Sequence, residues 1–228
     1  MLPIRDLNPR KSTPFVNYAL IGLNLAAFVW ELSLGPRLPQ VLEQVAFVPS
    51  RFWIPGSWFV DSAAILVSMF LHGGLFHLGS NMLYLWIFGD NVEDRLGHGR
   101  YAVFYVACGI VATWSHALFN TGSELPSIGA SGAIAGVLGA YLLLFPRARV
   151  MTFIPFGFLL VLRELPAILV LGLWFVLQLF TGAASLGLPE GAGGVAWFAH
   201  IGGFVAGLLL VNPFAWRVSP RADVRSFR

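Results

Sequence analysis

The sequence predicts an all-α polytopic membrane protein, a bundle of six transmembrane helices. Of its 228 residues, 57% are hydrophobic and only 11% are charged, which is far too apolar for a soluble domain of this length. Several uncharged runs approach the roughly 20 residues that a helix needs to cross a bilayer. The basic residues also collect in alternate loops, as they do in membrane proteins with a fixed orientation.

The hydropathy pattern divides the chain into spans that are joined by loops of unequal length. We predict spans at residues 15–34, 75–92, 100–119, 130–145, 164–182 and 195–213. Residues 1–14 are then a polar cytoplasmic tail, residues 15–213 the six-span membrane domain and residues 214–228 a basic cytoplasmic tail. The first apolar run follows Arg10 and Lys11, but it is too long for a signal peptide and no small-residue cleavage site follows it. We therefore interpret it as a retained helix.

The distribution of positive charge sets the orientation of these spans. Of the 14 Lys and Arg residues, only Arg37 and Arg51 fall on one side, and the other 12 fall on the opposite side. Because loops rich in Lys and Arg stay in the cytoplasm, we expect both termini there. The net charge of +3 thus reflects topology, and we expect no nucleic-acid partner. Since no organelle-targeting signal is visible, we expect a bacterial inner membrane.

The connecting segments carry further predictions. Residues 35–74 interleave aromatic residues with Pro and Gly, which favours an element that lies in the headgroup region; a pair of short spans is the alternative. Residues 147–163 are predicted to be a cytoplasmic connection, and the glycine-rich residues 182–194 a flexible outer loop and candidate cap. Cys108 is the single cysteine, so an intramolecular disulfide is excluded and a packing role is expected.

Two polar residues lie near the ends of apolar spans, where a hydroxyl or an imidazole is costly without a partner. Ser131 opens span four and His200 lies in the outer part of span six. Spans four and six run parallel in the predicted topology, so the two side chains can lie at one depth. Gly132 and Gly136 below the serine, and Gly203 and Gly207 below the histidine, let the helices approach closely. A serine beside a histidine is the minimal apparatus for nucleophilic catalysis.

Acyl transfer also needs donors aimed at the developing oxyanion. His77 and Asn81 are four residues apart and therefore share one face of span two. They are candidate donors, together with the backbone N–H of Ser131 at a helix start and, less directly, His72. For a third catalytic member, Glu31, Asp61 and Glu164 offer carboxylates, but nothing in the sequence pairs them with His200. We therefore predict a Ser–His dyad.

The order of these motifs resembles the rhomboid family of intramembrane serine proteases. The matching motifs are His-x-x-x-Asn at 77–81, a Glu-x-Arg-Leu-Gly turn at 93–97, Gly-Ala-Ser-Gly at 129–132 and Ala-His-x-x-Gly at 199–203. The resemblance implies that Ser131 is the nucleophile and His200 the general base, and that His77, Asn81 and the Ser131 backbone form the oxyanion hole. It places His72, Gly129, Gly203 and Gly207 in supporting positions. It also implies the basic six-span bacterial form and substrates that are transmembrane segments of other proteins.

Two departures from the family pattern stand out. A Trp-Arg pair that many members carry in the first loop falls here at Ala63 and Ala64. An aromatic ring that packs on the catalytic histidine in some members falls at Ala135. The first loop and the orientation of His200 must therefore depend on other residues.

Other functions make different demands on the sequence. A zinc peptidase would need His-Glu-x-x-His, and a paired-aspartate protease needs two aspartates within spans; the chain has neither pattern. We expect no metal and no cofactor. The alternatives are a catalytically inactive relative that binds transmembrane clients and a small transporter. An inactive relative would be expected to lack the serine or the histidine, and a transporter would be expected to show ionisable residues at mid-span and two related halves.

Overall fold

The structure is a computed structural model that describes residues 1–157, 159–186 and 196–215. It is mainly helical, with a small sheet at one end. The strands are β1 (Leu2–Asp6), β2 (Arg149–Phe156) and β3 (Leu159–Pro166). The helices are α1 (Phe15–Leu34), α2 (Leu38–Val45), α3 (Pro49–Phe52), α4 (Trp58–Ser68), α5 (Leu75–Leu96), α6 (His98–Phe119), α7 (Ser131–Leu144), α8 (Ala167–Ser185) and α9 (Trp197–Ala215). A single 3-10 turn, Gly35–Arg37, joins α1 to α2.

Each predicted span corresponds to one helix. Within the described residues, four helical segments are long and apolar enough to cross a membrane: Phe15–Val45, which contains α1 and α2, and then α6, α8 and α9. Helix α7 is apolar but shorter, at 14 residues or about 21 Å. Helix α5 has 22 residues but ends in a charged turn, which lowers its mean hydropathy.

Helix α7 is the centre of the bundle. Its residues from Gly132 to Tyr141 are all buried, and it packs against α5, α6, α8 and α9. Small residues make this possible: a Cβ at Gly203 would lie 2.0 Å from the carbonyl oxygen of Gly132, and one at Gly207 would lie 1.9 Å from that of Gly136. These are the contacts that the two glycine stripes predict. They fix α9 against α7 backbone to backbone.

The three-stranded sheet was not predicted. Strands β2 and β3 form an antiparallel hairpin between α7 and α8. Strand β1 pairs antiparallel with the other edge of β2, with Leu2 opposite Phe153. Residues 1–14 are therefore more than a tail, and residues 147–163 are more than a connection. The predicted span five starts three residues too early, because Glu164 lies in β3 and α8 begins at Ala167. Buried Val150 and Thr152 hold the base of β2 against the bundle.

The turn at the end of α5 anchors the N-terminal segment. The buried carboxylate of Glu93 accepts hydrogen bonds from the backbone N–H groups of Val16 and Asn17, which are otherwise unpaired donors in the first turn of α1. Asp94 accepts bonds from the backbone N–H groups of Lys11 and Ser12. This is the physical role of the acidic turn that the sequence places before Gly97.

The segment between α1 and α5 forms short helices beside α6. Its longest helix, α4, has 11 residues and rises about 16 Å, which is too short to cross a bilayer, so the alternative of two extra spans is not observed. Phe47 is fully buried, donates its backbone N–H to Ser68 and accepts one from Ser127. These bonds tie the segment to the residues that lead into α7. The predicted cap, residues 182–194, falls mostly outside the described residues.

Candidate active site

Ser131 is the first residue of α7, and the loop before it has a backbone conformation that favours glycine. Gly129 has a φ of +134°, and a Cβ there would lie 2.9 Å from Cε1 and Nε2 of His77 and 3.5 Å from Ser131 Oγ. Only glycine tolerates both the backbone conformation and this close approach. The backbone N–H of Gly129 donates to the carbonyl of Ser68 at 2.9 Å. The local sequence thus presents the Ser131 hydroxyl and its backbone N–H beside α5.

His200 approaches Ser131 from α9. Its Nε2 lies 2.8 Å from Ser131 Oγ, although the two residues are 69 positions apart in the chain. Both side chains are half-buried, and the contact lies one turn from the point where Gly203 meets the Gly132 carbonyl. The structure therefore brings the predicted nucleophile and the predicted base within hydrogen-bond distance.

The other ring nitrogen of His200 has a partner that sequence reasoning missed. Nδ1 lies 2.7 Å from Oε1 of Gln178, a buried residue of α8. The rings of Trp174 and Trp197 lie 5.9 Å and 6.2 Å from the imidazole. These three residues surround His200, whereas the position that carries an aromatic ring in some family members is Ala135 here. The signal was present in the sequence, because Gln178 is the only strongly polar side chain in the middle of span five.

The predicted oxyanion donors lie on α5, beside the loop that carries Gly129. His77 Nδ1 accepts a long hydrogen bond, 3.4 Å, from the backbone N–H of Gly73, so a neutral ring carries its proton on Nε2, which lies next to Gly129. Asn81 follows one turn later and is buried. Its side-chain N–H group has no hydrogen-bond partner in the part of the chain that the structure describes. Both residues thus keep a side-chain donor on α5, and His77 presents its donor beside Gly129.

His72 supports this arrangement from the loop before α5. It is buried, its ring lies 5.1 Å from that of His77, and its backbone N–H donates to the Glu31 carboxylate at 3.0 Å. Burial, and then the charge that His77 would carry, lower the pKa of His72 to about 4, so the ring is neutral at neutral pH. Its role in the structure is to pack against His77.

The carboxylates considered for a third catalytic member lie elsewhere. Glu31 holds the backbone of His72, Asp61 is buried in α4, and Glu164 lies in β3, which follows the end of α7 opposite to Ser131. In the described ranges, the hydrogen-bond partners of the His200 ring are Ser131 and Gln178 alone. The same residues contain no group of three His, Cys, Asp or Glu side chains that could hold a metal ion.

A small cavity of about 20 Å³ lies directly beside Ser131. Polar groups that line it include Ser68, Thr113 and Ser127, and the remaining lining is mostly small residues of α6, α7 and the start of α9. A polar cavity of this size has room for one water molecule.

Comparison with known proteins identifies the family. The model of the rhomboid domain matches residues 61–217, which is more than half of the chain. This chain belongs to the rhomboid family. That family consists typically of intramembrane serine proteases, and the match runs from within α4 to the end of α9. It includes Ser131, His200, Gln178, His77 and Asn81.

Relatives from distant organisms support the assignment. The chain is 32% identical over 215 residues to "Rhomboid protein 1, mitochondrial" of Saccharomyces cerevisiae, covering 90% of this chain and 54% of that protein. It is 35% identical over 130 residues to "Rhomboid protease GluP" of Bacillus subtilis, covering 57% of this chain and 24% of that protein. It is 29% identical over 219 residues to "RHOMBOID-like protein 5" of Arabidopsis thaliana, covering 93% of this chain and 64% of that protein. The chain thus spans about half of the yeast relative and less than two thirds of the plant relative. It is a rhomboid-family membrane protein.

Proposed function

We propose that this protein is a serine endopeptidase that cleaves transmembrane segments of other membrane proteins. The observation that carries the proposal is the 2.8 Å contact between Ser131 Oγ and His200 Nε2, formed between two helices of the bundle. A hydroxyl and an imidazole are costly inside such a bundle, and polar groups at that depth mark functional sites. The family membership and the name of the Bacillus relative agree with this activity.

The acylation step uses these side chains directly. Ser131 Oγ attacks the carbonyl carbon of the scissile peptide bond while His200 Nε2 takes the hydroxyl proton. The carbonyl oxygen becomes an oxyanion that the backbone N–H of Ser131, Nε2–H of His77 and the unpaired amide of Asn81 stabilise. When the C–N bond breaks, His200 gives the proton to the leaving amine, and an acyl ester remains on Ser131.

The deacylation step reverses these roles with water. His200 Nε2 takes a proton from a water molecule that attacks the ester carbonyl. Collapse of the second oxyanion breaks the bond to Ser131 Oγ, which recovers the proton from His200, and a carboxylic acid leaves. The cavity of about 20 Å³ beside Ser131 is a place from which such a water can arrive.

The proposed setting is a lipid bilayer crossed by six helices, α1 and α5 to α9, with residues 15–213 as the membrane domain. The uneven distribution of Arg and Lys supports cytoplasmic termini and places Ser131 near the opposite face. The compartment differs among relatives: the Bacillus relative is bacterial, whereas the yeast protein and a human relative, "Presenilin-associated rhomboid-like protein, mitochondrial", are named as mitochondrial. Those relatives do not favour the bacterial inner membrane that we expected, so the proposal does not specify a compartment.

The test is cleavage by the purified protein in detergent and in liposomes. A labelled single-span substrate is incubated with the parent, with Ser131→Ala and with His200→Ala. Ser33→Ala, which changes an exposed serine bonded only to its own helix, is the matched control. Loss of either half of a nucleophile–base pair costs on the order of 10⁶-fold in rate, so both variants should be inactive and the control should match the parent.

A second measurement separates catalysis from client binding. A fluorophosphonate probe reports an activated serine without any substrate, and the labelled peptide should contain Ser131. If Ser131→Ala cleaves as fast as the parent, the proposal is wrong. If the parent neither cleaves nor takes up the probe but retains a transmembrane client, the inactive, client-binding alternative is the correct function.

A further inference from the structure

Gln178 forms a hydrogen bond with the dyad but has no place in the mechanism above. It lies on α8, is only 8% exposed, and its side-chain oxygen meets His200 Nδ1 at 2.7 Å. We propose that Gln178 is a positioning residue that selects the tautomer and ring orientation in which His200 acts as a base. This inference rests on the proposed function.

The two hydrogen bonds of His200 define its tautomer. A neutral imidazole carries one proton, so one nitrogen donates and the other accepts. To take the proton of Ser131, Nε2 must present its lone pair, and the proton must then be on Nδ1. Oε1 of Gln178 is an acceptor placed to bind that Nδ1–H group. Without it, a buried N–H would lack a partner in this tautomer, and the opposite tautomer, which cannot act as the base, would gain population.

The neutrality of the amide suits its surroundings. When Nε2 takes the serine proton, the ring becomes an imidazolium and Nδ1 keeps its own proton, so the Gln178 oxygen then accepts a stronger, charge-assisted bond. A carboxylate in the same place would be an unpaired charge in an apolar helix while His200 is still neutral, which is costly before the reaction starts. The proton therefore moves only between Ser131 and Nε2, and Gln178 stays neutral throughout.

Helix α8 provides the rest of the orientation. Trp174 lies one turn before Gln178 on the same helix face, and its ring lies 5.9 Å from that of His200. The other titratable groups that act electrostatically on His200 are His77 on α5 and His116 on α6, and neither binds it directly. Helix α8 thus supplies two of the three contacts that surround the ring, and Trp197 of α9 supplies the third.

The test compares two replacements of nearly equal size. Gln178→Met removes the acceptor, whereas Gln178→Glu keeps it and adds a charge. Thr181→Val is the matched control, because Thr181 lies one turn along α8 and bonds only to backbone carbonyls of its own helix. The readouts are kcat and KM for a single-span substrate over a range of pH, and the rate at which a fluorophosphonate labels Ser131.

We expect Gln178→Met to lower kcat and the labelling rate on the order of tenfold, the effect of one neutral hydrogen bond, with KM unchanged. Gln178→Glu should recover most of the rate, and the acidic limb of its pH profile should move to higher pH because a carboxylate favours the protonated ring. The control should retain the parent rate and profile. If Gln178 had a purely structural role, the variants would be less stable, but the acidic limb of the Gln178→Glu pH profile would stay where it is in the parent.

Two results would overturn the inference: parent-like rates in Gln178→Met, or equal losses in both variants with an unmoved acidic limb. If Gln178→Met does not fold, the acidic limb of the Gln178→Glu pH profile tests the inference alone: a shift to higher pH supports it and an unmoved limb overturns it. An active parent with insensitive Gln178 variants removes this inference and leaves the proposed function intact. A parent that neither cleaves nor labels overturns both.

Discussion

Replacement of Gly203 by alanine tests whether helix packing sets the geometry of the site. In the native structure a Cβ at this position would lie 2.0 Å from the carbonyl oxygen of Gly132. A normal C···O contact is about 3.3 Å. Because the neighbouring atom is backbone and cannot rotate away, α9 must move from α7 by about 1.3 Å.

His200 lies three residues before Gly203 on the same helix and moves with it. The distance between Ser131 Oγ and His200 Nε2 is 2.8 Å, so a shift of this size lengthens it to about 4 Å, beyond the limit of a hydrogen bond. A misplacement of about 1 Å in an active site costs about 10²-fold in rate. We therefore expect Gly203→Ala to lose about 10²-fold in kcat, and overpacking to cost about 1–3 kcal/mol of stability.

The assay is cleavage of a single-span substrate, with melting temperature measured on the same detergent preparation. Gly172→Ala is the matched control: Gly172 lies inside α8, and nothing stands within 4 Å of its Cβ position. We expect the control to be as active as the parent. A folded Gly203→Ala protein with parent activity would refute the reasoning, since it would mean that the backbone contact does not position the dyad.

Three further predictions follow from other contacts. Asn81→Ala should lower kcat about 10²–10³-fold with little change in KM, the cost of one oxyanion donor, and an unchanged kcat would exclude Asn81 from that role. Burial raises the pKa of Asp6, bonded to Tyr141, from 3.8 to about 6; the fold thus favours the protonated carboxyl, and this stability is full at low pH and lost as pH rises through about 6. The melting temperature of Asp6→Asn should therefore fall less than that of the parent between about pH 4 and 6.5, and parallel curves would contradict this. Glu93→Gln should reduce the free energy of unfolding by about 1–3 kcal/mol, measured by thermal melting, because Val16 and Asn17 lose a charged acceptor; an unchanged melting temperature would contradict it.

The helices could be predicted from the sequence because their signals are local. Apolar runs of about 20 residues give the bounds of α1 and α9 to within a few positions. The contact between Ser131 and His200 was also predictable. Both residues lie at the same depth in parallel predicted spans, and glycines spaced four apart follow each of them. Small residues at a spacing of four report on close helix contacts even when the partners are far apart in the chain.

The sheet and Gln178 could not be predicted in the same way. Strand β1 pairs with residues about 150 positions later, and nothing in Leu2–Asp6 announces that partner. The hairpin residues 149–166 are apolar on both faces, so they lack the alternation that marks a half-buried strand. Gln178 was not predicted because carboxylates were the only candidates for a third catalytic member, whereas a neutral amide oxygen can also accept a hydrogen bond from a histidine N–H group.

The position of β1 has a consequence for how the chain is made. Its pairing partner in β2 leaves the ribosome only after about 150 residues have been synthesised, so the first strand must wait, unpaired, while α1 to α7 are already being inserted. The sheet can therefore form only after α1 to α7 have been made, and α8 and α9 are still to follow. A bulky fusion placed before Leu2 would interfere at that step and leave the earlier helices untouched.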